Sequence, residues 1–496
     1  MLTETLNKIG SSSGLRATTG ALARVALRLA VPLLLMAMLG MLSGHHHAWA
    51  QDGAANVAEP GPAAAVGDAA ATTAATAAPA AKADLGDTAW MLMSAALVLL
   101  MTPGLALFYG GLVRGKNMLN TMLMSFGAMA LLGVLWMFFG YSIAFGDGGP
   151  VNALFGGFEY AFFNNMPFDA VAPGAKTIPH LLFAIYQGMF AIITPALISG
   201  SVVERMKFST YMVFIGIWGL VVYSPVAHWI WGGGWIFQVF EHRGGILDFA
   251  GGAVVHVNAG FAALALALVM GTRKGYNKRP MIPHNLPLCL LGAGLLWFGW
   301  FGFNGGSALA SGDIASLAFV NTQLGAAAAM LTWMLIEQIA RKEMTALGAA
   351  TGAVAGLVGI TPACGFVSPM GAIFVGAITS AVCYISATAR AKGRVDDSLD
   401  AFAVHGVGGF TGAVLTGVFA SAAVHEGGGL LNGNVNLFIN QILATSAVAI
   451  YSFVVAYILA TILKGAMGLR VNDESEERGL DTTEHGEEAY ATESAV

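Results

Sequence analysis

The 496-residue chain is 56% hydrophobic and only 10% charged, whereas charged residues make up about a quarter of a typical soluble domain; this is the composition of an integral membrane protein. The net charge of -5 gathers in the acidic stretch after Arg470 and gives no reason to expect a nucleic-acid partner. Three cysteines, Cys289, Cys364 and Cys383, all lie in apolar segments and form neither a metal spacing nor a disulfide framework, which leaves packing as their expected role.

In chain order, Lys8, Arg16, Arg24 and Arg28 precede the apolar run "LAVPLLLMAMLGMLSG", and "AWA" ends at Ala50. Residues 1–50 therefore read as a signal peptide cleaved after Ala50. The alternative, a first membrane anchor, is disfavoured because the run falls short of the roughly 20 residues a span needs. His45, His46 and His47 would leave with the peptide. Residues 51–86, rich in Ala, Pro, Gly and Thr, have too few large apolar groups to fold and read as a flexible extracytoplasmic linker.

Eleven apolar segments follow, at about 88–110, 117–145, 178–203, 208–230, 249–270, 286–303, 316–340, 345–363, 366–390, 399–421 and 434–465. The predicted fold is all-α, with eleven transmembrane helices. Placing the linker outside puts the tail inside, and 16 Lys and Arg, from Arg114 to Arg478, then fall on the cytoplasmic side against only Lys82, Lys176 and Arg243 outside. That asymmetry is the one the positive-inside rule demands.

Two stretches place an imidazole among apolar residues: "DFAGGAVVHVNAG" (248–260) and "DSLDAFAVHGVGG" (397–409). His256 follows Asp248, and His405 follows Asp397, by the same eight positions, about 12 Å of helix, and half of a bilayer core is about 15 Å. Both histidines are thus expected near the midplane, reached from opposite sides. That is the pattern of two inverted five-helix repeats plus a final helix, with the functional site at the repeat interface. Asp248 and Asp397 suit the first turns of their helices, where a carboxylate caps free amides.

A lone membrane histidine can simply bond a neighbouring helix; two at matched depth in symmetric positions point instead to a pathway, because ionisable groups there are costly. A metal site would lack a third ligand at that depth, and no nucleophile or cofactor loop supports an enzyme. Away from water, charge is disfavoured, and a neutral pair can share one proton and still hydrogen-bond a small polar guest. Aromatic clusters are expected above the pair. Trp231 lies in "HWIWGGGW" (228–235), Tyr186 and Phe190 in "YQGMF" (186–190), and Phe303 and Ser307 in "WFGFNGGS" (300–307). Each alone reads as packing or an interfacial belt; together they favour a vestibule that attracts cations.

From Asp87 to Tyr490 the chain resembles the ammonium transporter family that also includes the Rh proteins. The resemblance rests on "PGLALFYGGLVRGKN", "HWIWGGGW", "LDFAGGAVVHVNAG", "PHNLP", "GWFGFNGGS", "GLVGITPACG", "RVDDSLDAFAVHGVGG" and, in the tail, "GLRV", "GLD" and "HGEEAY". Its tail and "FYGGLVRGKN" follow the bacterial branch. The resemblance implies an ammonium/ammonia transporter, with methylammonium as analogue and no cofactor, whose outer recruitment site uses Trp231, Ser307 and Phe190, with Tyr186 expected to join them there. It further implies a gate of Phe190 and Phe303, twin pore histidines His256 and His405, and support from Asp248. Tyr186 stands where many relatives carry phenylalanine; its hydroxyl either assists binding at the mouth or points to a neighbouring helix. Also implied are a homotrimer in the bacterial inner membrane, a membrane domain over 87–467, and a cytoplasmic regulatory tail over 468–496 that meets a PII-type nitrogen regulatory protein. An ammonium sensor acting through that tail is the alternative, and the residues do not decide between NH4+ and NH3 as the species carried.

Overall fold

The computed structural model describes residues 82–490, apart from residues 242, 244, 392 and 394. The predicted signal peptide, nearly all of the predicted linker and the last six residues of the tail lie outside the described residues.

Ten helices among the described residues are long and apolar enough to cross a membrane. These are α1 (Leu85–Leu112), α2 (Gly115–Phe145), α3 (His180–Ser201), α4 (Phe208–Glu241), α5 (Gly252–Met270), α6 (Leu286–Ala308), α7 (Asp313–Arg341), α9 (Pro369–Ala391), α10 (Phe402–Phe419) and α11 (Val435–Ala466). The predicted eighth span is a shorter apolar helix, α8 (Ala346–Ile360). The chain is an all-α membrane protein whose element order follows the eleven predicted segments. α4 runs past its predicted end because it breaks at Gly232, the residue that ends Ser224–Trp231, and resumes at Trp235. A two-stranded antiparallel ribbon, β1 (Val171–Ala172) and β2 (Ala175–Pro179), interrupts the α2–α3 loop.

The two halves pack as counterparts, and small residues show how. α1 and α6 run antiparallel: Asp87 of α1 accepts from Ser311 just beyond α6, while His284 just before α6 meets the Val113 carbonyl at 2.8 Å. Along this seam a Cβ on Gly111 would stand 2.6 Å from both the Asn285 carbonyl and Cys289 Sγ. A Cβ on Gly299 would collide with Met101 and the Leu97 carbonyl. A shift of about 188 residues exchanges these two contacts, as a twofold axis requires.

α5 and α10 repeat the pattern. A Cβ on Gly260 would collide with Gly406, and one on Gly409 would lie 2.8 Å from His256 Cβ. Here the shift is 149 residues, the separation of His256 and His405. Close backbone approach at both crossings needs glycine, and it brings the histidine-bearing helices into direct contact.

The tail folds back on the chain's own loops. Val471 N–H donates to the Arg205 carbonyl (3.0 Å), and the Asp481 carboxylate accepts from the Leu119 and Asn120 amides at the start of α2. Gly479, at φ +116°, lies so close to the Lys116 carbonyl that a side chain would clash. The Leu480 side chain is buried.

Candidate functional site

Both histidine helices open on wide π-type turns, Gly252–Val257 and Phe402–Gly406, before regular α-helix resumes. Each turn is fastened by the aspartate that precedes it. The Asp248 carboxylate accepts from the amides of Gly251, Gly252, Ala253 and Val254, and the Asp397 carboxylate accepts from those of Ala401 and Phe402. Four amides on one carboxylate satisfy the orphan donors of a helix start within a single side chain. The aspartates therefore act as the caps expected of them. The π turns had no signal in the pattern of apolar residues; such bulges are frequent at functional sites.

The turns aim the imidazoles at one another. His256 Nδ1 and His405 Nδ1 stand 3.3 Å apart with ring planes 21° from parallel. Both side chains are buried, at 1% and 3% exposure. Two neutral imidazoles meeting Nδ1 to Nδ1 need opposite tautomers, one donating and one accepting. Their Nε2 atoms then carry one lone pair and one N–H between them. His256 Nε2 is buried and has no protein partner, so this nitrogen is free to bond a guest. The rest of the wall is apolar: Met101, Leu105, Phe108, Ile193, Leu296 and Val354 contribute to a cavity of only about 10 Å³, about one water-sized sphere.

On one side the pair is closed by two phenyl rings. Phe190 and Phe303 have centroids 4.4 Å apart, and Phe303 lies 5.9 Å from the His256 ring. Trp300 backs His256 at 5.4 Å, its own N–H donating to Thr361 Oγ1 at 2.8 Å. Beyond the rings is a cavity of about 470 Å³ whose lining includes Phe190, Trp231, Asp248 and Ser307. Trp231 meets Phe190 edge-on at 6.3 Å, and its indole N–H donates to the Asp248 carbonyl at 3.0 Å. On the far side, Phe108, Val354 and His405 also border a cavity of about 220 Å³ lined by Ser398 and Asp400.

The structure thus gathers His256, His405, Phe190, Phe303, Trp231, Ser307 and Asp248 along one line, with Asp397 behind His405. Tyr186 is the exception to a mouth position. It is fully buried and does not line the Trp231 cavity; its hydroxyl turns to the end of α6, the second of the two orientations open to it. There it shares the Gly302 and Phe303 carbonyls, the first of which also accepts from the Gly306 amide.

Residues 89–490 match the model of the Ammonium Transporter Family. The chain is 47% identical to the ammonium transporter of Bacillus subtilis over 82% of its own length and 98% of that protein's. It is 45% identical to the ammonium transporter Amt1 of Archaeoglobus fulgidus, over 82% and 99% of the two chains. Among solved structures it is similar to Saccharomyces cerevisiae Mep2 (TM-score 0.73, 35% identity, covering 79% of this chain and 89% of that one). It is also similar to a structure described as "Sensor Amt Protein" (TM-score 0.73, 29% identity, covering 81% and 98%). Family model, relatives and solved structures converge: the chain belongs to the ammonium transporter family.

Proposed function

We propose that this ammonium transporter carries its substrate through the line of cavities joined by His256 and His405. The observation that carries the reading is the bonded imidazole pair in an apolar constriction, closed on one side by Phe190 and Phe303, with a larger cavity lying toward either end. Ammonium is recruited between the Trp231 and Phe190 rings and Ser307, where aromatic faces attract the cation and the serine oxygen accepts a hydrogen bond. A constriction of this size admits no hydration shell, and a charge stripped of water there is costly. Deprotonation on passage follows, with the histidine pair holding and relaying the proton between its facing nitrogens.

The protein works as a homotrimer in a bacterial inner membrane, with one pore per subunit. Residues 1–50 are removed as a signal peptide, residues 51–86 lie outside as a linker, and the 468–496 tail is cytoplasmic, where a PII-type protein regulates flux. The positive-inside asymmetry supports the orientation, and docking of the tail onto the Arg205, Lys116 and Leu119 loops supports a regulatory role. Similarity to a sensor protein of this family supports a second reading, in which ammonium binding is signalled through the tail.

Methylammonium uptake by proteoliposomes containing only the full chain separates the two readings: transport gives uptake, a pure sensor gives none. Within the first reading, His256→Ala and His405→Ala are expected to abolish the flux or change the species carried. Replacement of either by Asp retains flux with poorer rejection of K+. Parental rate and selectivity in both alanine variants would remove the histidine pair from the pathway.

A further inference from the structure

Behind the gate, α6 leaves its α-helical course at Gly305 and tightens into a 3-10 turn, Gly306–Ala308. The Tyr186 hydroxyl reaches this end from α3. It stands 3.0 Å from the Gly302 carbonyl, 3.0 Å from the Phe303 carbonyl and 3.2 Å from Ser307 Oγ. Ser307 Oγ in turn lies 2.8 Å from the Phe303 carbonyl. Gly306 makes the approach possible, since a Cβ there would sit 2.7 Å from the tyrosine oxygen. The same ring packs edge-on against Phe190, centroids 5.0 Å apart. One buried side chain therefore touches Phe190, the Phe303 backbone and Ser307 without facing the cavity.

Counting protons shows what the cluster does. The two carbonyls can only accept, so they take the tyrosine proton. The serine proton has two inward acceptors, the Phe303 carbonyl and the tyrosine oxygen. With both protons turned inward, Ser307 presents only lone pairs to the Trp231 cavity. We infer that Tyr186 is a positioning residue, which sets Ser307 as a pure hydrogen-bond acceptor toward the cationic substrate. This rests on the reading of that cavity as the recruitment site. Removing the hydroxyl leaves the Phe303 carbonyl as the serine's single inward acceptor, and so weakens the bias that keeps its proton from the cavity side, where it opposes an N–H donor.

The test is a double-mutant cycle on methylammonium uptake by the full chain in proteoliposomes, with Tyr186→Phe and Ser307→Ala made singly and together. A lost or misdirected hydrogen bond corresponds to about three- to tenfold in affinity. Tyr186→Phe should raise KM by that factor, with the change falling on KM rather than on maximal rate, and should have no further effect once Ser307 is alanine. An equal rise in KM in both backgrounds would reduce Tyr186 to a packing residue and overturn the inference, as would no rise in either. Trp231→Leu run alongside keeps the two levels apart: if neither Trp231→Leu nor Ser307→Ala moves KM, it is the recruitment site that fails.

Discussion

In the proposed recruitment of ammonium, Trp231 would meet the cation with its orientation already set. Its indole N–H is committed to the Asp248 carbonyl, which fixes the ring plane, and its edge contact with Phe190 leaves it on the cavity wall. Asp248 has two tasks at once, because its carboxylate caps α5 while its carbonyl steadies the indole. A cation over an aromatic face gains about 0.5–2 kcal/mol, so Trp231→Leu is expected to weaken apparent ammonium affinity by up to roughly thirtyfold. The measurement is KM for ammonium-evoked current, with Tyr186→Phe as the milder comparison. Equal shifts from the two substitutions would overturn that ranking. Trp231, Phe190 and Ser307 stand out in the sequence only as a group, because each cluster alone reads as packing or an interfacial belt. The direction of the Tyr186 hydroxyl could not be read there, since it depends on where the α-helical part of α6 stops.

At the scale of elements, the site depends on how closely α5 and α10 approach. The matched Asp-to-His spacing made the two helices legible as a symmetric pair, but the spacing says nothing of the π turns that rotate the imidazoles toward each other. Those turns lie beside the close α5–α10 crossing at Gly260 and Gly406. The glycine spacing carries a further signal: Gly104 and Gly111 in α1, and Gly292 and Gly299 in α6, are each seven residues apart. Two helical turns put such pairs on one face, and the structure shows both faces meeting across the α1–α6 seam. Gly260→Ala tests the α5–α10 crossing, since its methyl would enter the Gly406 backbone. Overpacking of this kind costs about 1–3 kcal/mol, and here it also spreads the histidines. Lower thermal stability and lost flux are expected together. Gly294→Ala in α6 is the control: it has open space around its Cβ position and should gain helix propensity, up to about 1 kcal/mol. If Gly260→Ala melts and transports like Gly294→Ala, the close crossing is not what sets the site.

The whole molecule is tied together at the face opposite the Trp231 cavity by a buried charge cluster that composition alone hides. Glu204, in the α3–α4 loop, accepts from Arg114 of the α1–α2 loop at 2.9 Å and from Arg273 of the α5–α6 loop at 2.8 Å. Arg273 also grips Asp396 at 2.8 Å, next to the aspartate that caps α10. Arg205 bonds the Gly271 and Asp396 carbonyls and, through its own carbonyl, the tail at Val471. In the sequence these arginines served only to orient the spans; the structure shows that Arg205 and Arg273 are also buried pins. Burial by itself would raise the Glu204 pKa, but the hydrogen bonds and charges of Arg114 and Arg273 outweigh it and hold the carboxyl down to about 2, against an ordinary 4.5. A carboxylate with a depressed folded-state value adds stability that is fully present above 4.5 and is lost as pH falls from there toward 2. The contribution is of order 3 kcal/mol at neutral pH. Replacing Glu204 by Gln leaves the buried Arg273 with Asp396 alone and strips the half-buried Arg114 of its counter-charge, which is destabilising at pH 7. At pH 3 much of that difference should have gone, because the parental carboxylate has by then lost much of its advantage over the unfolded state. Thermal unfolding of the detergent-solubilised full chain, parent against Glu204→Gln at pH 7 and pH 3, measures this directly; a gap in Tm of the same size at both pH values would mean that the Arg114–Glu204–Arg273 cluster does not pin these loops through its charge.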